Sequence, residues 1–191
     1  VLKSGLSGAT NGFIEIQASS NITTNNGDIT LWSNPTNITS GTANNEIILA
    51  GSNTLNSNGG NITLAGGLDS NNDDIPDGYA YRGGYTGAAV DIRTNASLLS
   101  NGGDIIIRGQ QTGQAYAVAF RSNLVINSGT GTITIDGQNS GNHAIDLADG
   151  RFAITSASIA DTAISISGTT TSAHAGIVSS FNAGSDHALI Q

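Results

Sequence analysis

The chain has 191 residues and a formal net charge of −8, and glycine, serine, threonine and asparagine fill 89 of its positions. Only 10% of residues are charged while 23 are isoleucine, a composition that excludes a charged disordered tail and points to a folded chain of strands and turns. With no cysteine, one lysine (Lys3) and five scattered arginines (Arg82, Arg93, Arg108, Arg121, Arg151), it also excludes disulfide frameworks, thiolate metal sites, nucleic-acid binding and a polybasic membrane anchor.

Val1 to Thr10 carries no secretory-signal pattern, and no apolar run approaches the roughly 18 residues of a membrane span. Methionine is absent throughout, position 1 included, which leads to the expectation of an internal piece of a larger protein. From Ile14 onward an apolar-x-apolar triplet recurs eight times: Ile14–Ile16, Ile29–Leu31, Ile47–Leu49, Ile62–Leu64, Val90–Ile92, Ile105–Ile107, Ile133–Ile135 and Ile164–Ile166. Several are led by a second apolar residue seven positions earlier, Ile22, Leu55, Leu98 and Ile126. Between the two lies a corner of Asn, Gly and Asp, such as Asn58-Gly59-Gly60-Asn61, residues that tolerate the positive φ of a sharp turn.

Strands this short, joined by such corners, fit a coil better than a hairpin meander or a propeller blade. The expected fold is all-β: a right-handed parallel β-helix, a solenoid whose aliphatic residues stack from turn to turn around a narrow core. The eight triplets are expected to form one ladder and the residues at minus seven part of a second. A spacing of 15 to 18 residues, with units of 28 to 31 interspersed, suggests a single β-helical segment over 1–191: narrow coils over 11–68, an Asp/Tyr-rich insertion over 69–87, coils over 88–107 and wider coils over 108–191. Extra strand-like pieces at Tyr116–Phe120, His143–Leu147 and Ala175–Val178 read as an additional face of those wider coils. No segment has the spacing of a helix.

The phrases Asn25–Leu31, Asn58–Ala65 and Asn101–Ile107 resemble the repeats of filamentous-haemagglutinin-type exoproteins, the β-helical adhesins of two-partner secretion. That resemblance implies an extracellular or outer-membrane-attached rod that contacts host or bacterial surface glycans or proteins, or associates with itself into fibres.

Asp69-Ser70-Asn71-Asn72-Asp73-Asp74-Ile75-Pro76-Asp77-Gly78 is the clearest local motif. Oxygens of Asp69, Asn71, Asp73 and Asp77, with the Ile75 carbonyl, are spaced to converge on one hard cation. The motif is similar to the calcium loops of EF-hand, dockerin and thrombospondin type 3 repeats, which implies a structural Ca²⁺. It departs from them at Asp74, where glycine is preferred, and at Ala80, where an EF-hand has its bidentate acid; the alternative is a surface turn that binds nothing. Tyr79, Tyr81 and Tyr85 cluster beside it as contact or packing aromatics, and Trp32 is expected outward or at a corner.

Catalysis is not expected. The acid pairs Asp136 with Asp161, and Asp146 with Asp149, look like solvated turn residues, and His143, His174 and His187 lack metal-ligand spacing. A polysaccharide-acting lyase or glycosidase is the alternative, to be recognised by a groove lined with two or more acids and neighbouring aromatics. Ice binding through outward Thr30, Thr63 and Thr134 is a further one, broken by Glu15, Ile48, Asp91, Ile106 and Ser165 at the same position. Asn-x-Ser/Thr sequences at Asn21, Asn37, Asn61 and Asn95 matter only where a glycosyltransferase is present.

Overall fold

The computed structural model describes residues 1–5, 11–84, 86–148, 150–180 and 188–191. After β1 (Leu2–Lys3), the first coil runs through β2 (Ile14–Ile16), β3 (Asn21–Thr23) and β4 (Ile29–Ser33). The second holds β5 (Asn44–Asn45), β6 (Ile47–Leu49), β7 (Thr54–Asn56), β8 (Ile62–Gly66) and β9 (Ala80–Arg82). The third has β10 (Val90–Ile92), β11 (Ser97–Leu99) and β12 (Ile105–Gln111), and the fourth β13 (Val118–Phe120), β14 (Leu124–Asn127) and β15 (Ile133–Asn139). The fifth has β16 (Ile145–Ala148), β17 (Phe152–Thr155) and β18 (Ile164–Thr170), before β19 (Ile177–Ser180) and β20 (Ala188–Ile190).

These coils stack into three parallel sheets. Sheet A runs β1-β4-β8-β12-β15-β18, sheet B β2-β6-β10-β13-β16-β19 and sheet C β3-β7-β11-β14-β17-β20, so the chain is a parallel β-solenoid of about six turns. The described residues contain no helix, and the one antiparallel strand pairing joins β5 to β9.

The register revises how the repeat works. The triplets form two ladders instead of one: Ile14, Ile47 and Val90 start strands of sheet B, whereas Ile29, Ile62, Ile105, Ile133 and Ile164 start strands of sheet A. A spacing of 15 is therefore the path from sheet B through sheet C to sheet A within one coil. A whole coil is longer, as the contacts between equivalent residues show: Asn61 to Asp28 spans 33 residues, Asp104 to Asn61 spans 43 and Thr132 to Asp104 spans 28. Val118–Phe120 and Ile145–Leu147, expected as an added face, continue sheet B above Val90–Ile92. Strands of sheet A lengthen from five residues in β4 and β8 to seven in β12, β15 and β18, whereas the coils themselves span 33, 43 and then 28 residues.

Inward positions align into aliphatic columns. Ile47, Val90, Val118 and Ile145 form one, Leu55, Leu98 and Ile126 another, and Ile62, Ile105 and Ile133 a third, all with no exposed surface. Each fully buried aliphatic side chain contributes about 1.5–3 kcal/mol, and the columns have no polar break, so burial holds the shaft together.

A second ladder lies at the corner between sheets C and A. Thr24, Ser57, Ser100 and Ser128 each follow the inward residue of sheet C by two positions, and each hydroxyl donates to the carbonyl of the residue three further on: Gly27, Gly60, Gly103 or Gly131. Ser57 and Ser100 also reach the carbonyl of the next coil's serine. Here glycine is required by close approach: a Cβ on Gly103 would lie 2.2 Å from the Gly60 carbonyl oxygen, and one on Gly131 would lie 2.0 Å from that of Gly103.

Candidate functional site

The Asp69 loop is spliced into a strand. Leu64 pairs with Ile107 and Ala80 with Gly109, so residues 65–79 stand where the neighbouring strand β12 has only Arg108. Within the loop, Asp69 accepts the N–H groups of Asp73 (3.1 Å) and Asp74 (3.0 Å), Asp73 that of Ile75 (2.9 Å) and Asp77 that of Ser70 (2.7 Å). Asn71 lies within the same turn, donating to Asp73. These side chains act here as turn caps, and among the described residues no three His, Asp or Glu side chains gather as a metal set.

Tyr79 anchors the end of this loop on the outer face of sheet A. Its hydroxyl donates to Asp136 at 2.5 Å and accepts from Gln138 at 2.6 Å, while Arg108 donates to the Asp77 carbonyl. Burial first, and then the Asp136 carboxylate, push the Tyr79 phenol up to about 12. Tyr81 is wholly buried, its hydroxyl beside Thr112, so both are packing residues; Tyr85 lies outside the described residues. Trp32 sits in the outward row of sheet A, as expected, yet is covered there: it is only 4% exposed, with Lys3 over its ring at 3.8 Å and its N–H donating to Gly67. Thr30 and Thr63 are buried as well, so the outward threonine row is not a free surface.

The acids behave differently from the sequence expectation. Asp136 lies under Tyr79 in sheet A, whereas Asp161 is exposed in the turn before β18. Asp149 and His187 lie outside the described residues. Asp146, however, is far from solvated: it is 2% exposed, on the outer row of sheet B, and forms one end of a charged line. Along that face the outward residues are Ile48, Asp91, Ala119 and Asp146, one per coil. Glu46, Asp91 and Asp146 are the buried acids among the described residues, and each faces an arginine. Arg82 pairs with Glu46, Arg93 Nε lies 2.9 Å from Asp91 Oδ2, and Arg121 reaches Asp146 Oδ2 at 3.0 Å and Asp91 Oδ1 at 3.5 Å. Burial pulls the Arg82 guanidinium down from its ordinary range against the charge of Asp91.

Register explains why these groups meet. Ile92 pairs with Phe120, which sets Arg93 directly below Arg121 at the exit of sheet B, with Thr94 below Ser122. On the opposite margin Tyr116, His143 and His174 climb the coils: the Tyr116 and His143 rings stack at 6.4 Å, and those of His143 and His174 meet edge-on at 4.9 Å. Arg121 lies 5.7 Å from the Tyr116 ring, and burial, then the Asp146 charge, push the Tyr116 phenol up.

The result is a trough along sheet B with an acidic and alanine floor, a guanidinium wall and an aromatic wall. Two hollows meet at Arg93: one of about 230 Å³ bordered by Glu46, Arg82 and Asp91, and one of about 340 Å³ bordered by Thr94, Arg121, Ser122 and Ala148. Its three buried acids each face an arginine, and Glu15, next to Ile48 in the same outward row, stands exposed at its foot. Sequence reasoning missed the trough, although Asp91 stood out as an interruption of the threonine row. The usable signal was the 28-residue coil: Asn95 and Asn123, in contact at that separation, flank Arg93 and Arg121 at the same offset.

No family model, curated protein or solved structure matches this chain.

Proposed function

We propose that the chain is a non-enzymatic, adhesive length of a larger secreted or cell-surface bacterial protein, a rigid β-helical rod of the filamentous-haemagglutinin style that displays its faces to host or bacterial glycans or proteins. What supports this reading most is the unbroken passage of the aliphatic columns through successive coils, which gives a stiff spacer with a regular lateral surface. Beads coated with the chain should adhere to epithelial cells or bacterial envelopes above the level of uncoated beads; equal retention on both sinks the adhesive reading.

A structural Ca²⁺ in the Asp69 loop is part of the proposal. Asp69, Asn71, Asp73, Asp77 and the Ile75 carbonyl would supply the oxygens, and the closely spaced carboxylates gain screening when a cation sits among them. A ligand at a hundred times its Kd adds about 2.7 kcal/mol, so millimolar Ca²⁺ should raise the Tm over chelator and Asp73→Ala should abolish the difference. An unchanged Tm rejects the ion.

Glycan cleavage is the second reading, favoured by one observation: Asp91 and Asp146 share a face two coils apart and both contact Arg121, which sets two carboxyl groups side by side as glycosidases require. Against it, Asp91 has a guanidinium at each oxygen and Asp146 holds Arg121, so neither faces the open side as a free acid or base. Release of reducing ends or unsaturated sugars from a polysaccharide panel, lost in Asp91→Asn, would establish cleavage and displace the rod reading.

A further inference from the structure

We infer that the sheet B trough is a binding site for a uronate-bearing polysaccharide lying along the solenoid axis, with Arg93 holding a sugar carboxylate. The inference deepens the adhesive reading and rests on it for its biological setting, though the site itself stands on separate observations. Arg93 is half exposed and meets protein only through its Nε–H on Asp91. Its two terminal nitrogens, the planar fork that matches a carboxylate, take no part in that contact, and Arg93 borders both hollows. Asp91 fixes that guanidinium from behind, so little side-chain freedom is lost when a ligand arrives.

Asp91 is the second observation. It is 8% exposed, and its Oδ1 has no hydrogen-bond partner: Arg121 Nε at 3.5 Å is an ion pair too long to count as one. A buried carboxylate oxygen short of a donor is costly, and a sugar hydroxyl that displaces the partly exposed Arg121 from its 3.5 Å contact would satisfy it. The trough thus offers a fork for an anion beside an unsatisfied acceptor for a hydroxyl, the pairing that a hexuronate carries on a single ring.

Spacing and charge narrow the class. Coils rise by about 4.8 Å, close to the length of one pyranose, so a chain along the axis sets one ring against each coil from Glu46 to His143. Tyr116 and His143, stacked on each other at the margin, add polar ring atoms able to meet sugar hydroxyls. A heavily sulfated glycan, with several charges on each repeat, is repelled by a chain of charge −8 more strongly than a polymer with one carboxylate per ring. A polymer with one carboxylate per ring and many hydroxyls is the ligand that these groups suit.

The test uses the whole chain and defined polymers. Titration calorimetry should show binding of oligogalacturonate of six or more units and none of dextran. Arg93→Gln should weaken it at least about tenfold and Arg93→Lys by less, since lysine keeps the charge and loses the fork, each titrated well below its own Tm, because Gln at this position also removes a partner of the buried Asp91. Arg108→Gln, on sheet A, should bind as the parent does. The site is overturned if Arg93→Gln binds normally, or if Arg108→Gln loses as much, which would reduce the effect to net charge. Equal affinity for polyglutamate or for dextran sulfate overturns the uronate assignment in favour of peptide carboxylates or sulfate. A chain that ignores oligogalacturonate but still coats beads that adhere to cells loses this site and keeps the adhesive reading; one that does neither loses both.

Discussion

The shaft and the insertion at residues 65–79 are parts of one sheet held by different forces. In the shaft, side chains such as Leu55, Leu98 and Ile126 have no exposed surface and touch their counterparts above and below. Beyond β8 the insertion's attachments are polar: Lys3 to Asp74, Trp32 and Asn34 to Gly67, Asn34 to Tyr79, Arg108 to Asp77, and Tyr79 to Asp136 and Gln138. A stacked apolar column gains stability at every coil and each coil depends on its neighbours, whereas each hydrogen bond nets only about 1 kcal/mol. The solenoid can therefore carry an excursion of variable chemistry without putting its core at risk.

The largest effect should come from breaking the column. Leu98→Ala, at a site with no exposed surface, should cost about 3–4 kcal/mol by chemical denaturation, and loss of the whole shaft in a single transition would show that coils are coupled. Excising residues 68–77 and joining Gly67 to Gly78, whose backbones lie against each other, should cost only about 1–2 kcal/mol, the value of the lost Arg108 and Lys3 ties. If the excised chain fails to fold, the insertion is part of the core and the contrast collapses.

Tyr79→Phe should be smaller still, about 1 kcal/mol at neutral pH. Its sign with pH is fixed by the phenol, whose folded-state value of about 12 lies above the ordinary 10. The contribution is complete below pH about 10 and is lost as pH climbs toward about 12. Parent minus Tyr79→Phe stability should fall across that window and be flat from pH 6 to 9. Last, Ile159→Ser, at a fully exposed position in the turn before β18, should move stability by less than about 0.5 kcal/mol.

What could be read from the chain follows the same division. The triplets, the inward residues seven positions earlier and the Asn-Gly corners each mark a local requirement, alternation or positive φ, that a few adjacent residues must meet. They yielded the solenoid. Their division between two sheets was hidden because Ile14–Ile16 and Ile29–Leu31 look alike although they face different sides, and only pairing with Ile47 and Ile62 separates them. The trough was hidden for a related reason: Asp91, Arg121 and Asp146 are remote in the chain and unremarkable alone. Burial of Trp32 and Thr63 beneath other segments likewise depends on cover that no local pattern announces.

The hydroxyls of Ser57, Ser100 and Ser128, each tied to its own corner, the first two also leaning on the next, set a rule for how such a protein can change length. Loss or gain of a complete circuit brings one serine to the place of another and leaves every rung occupied. Removal of a single residue between β7 and β8 would turn the hydroxyl out and swing the following aliphatic pair to the wrong side. Lineages carrying this architecture should therefore differ by whole circuits or by excursions outside them, with the distance from Ser57 to Ile62 held constant.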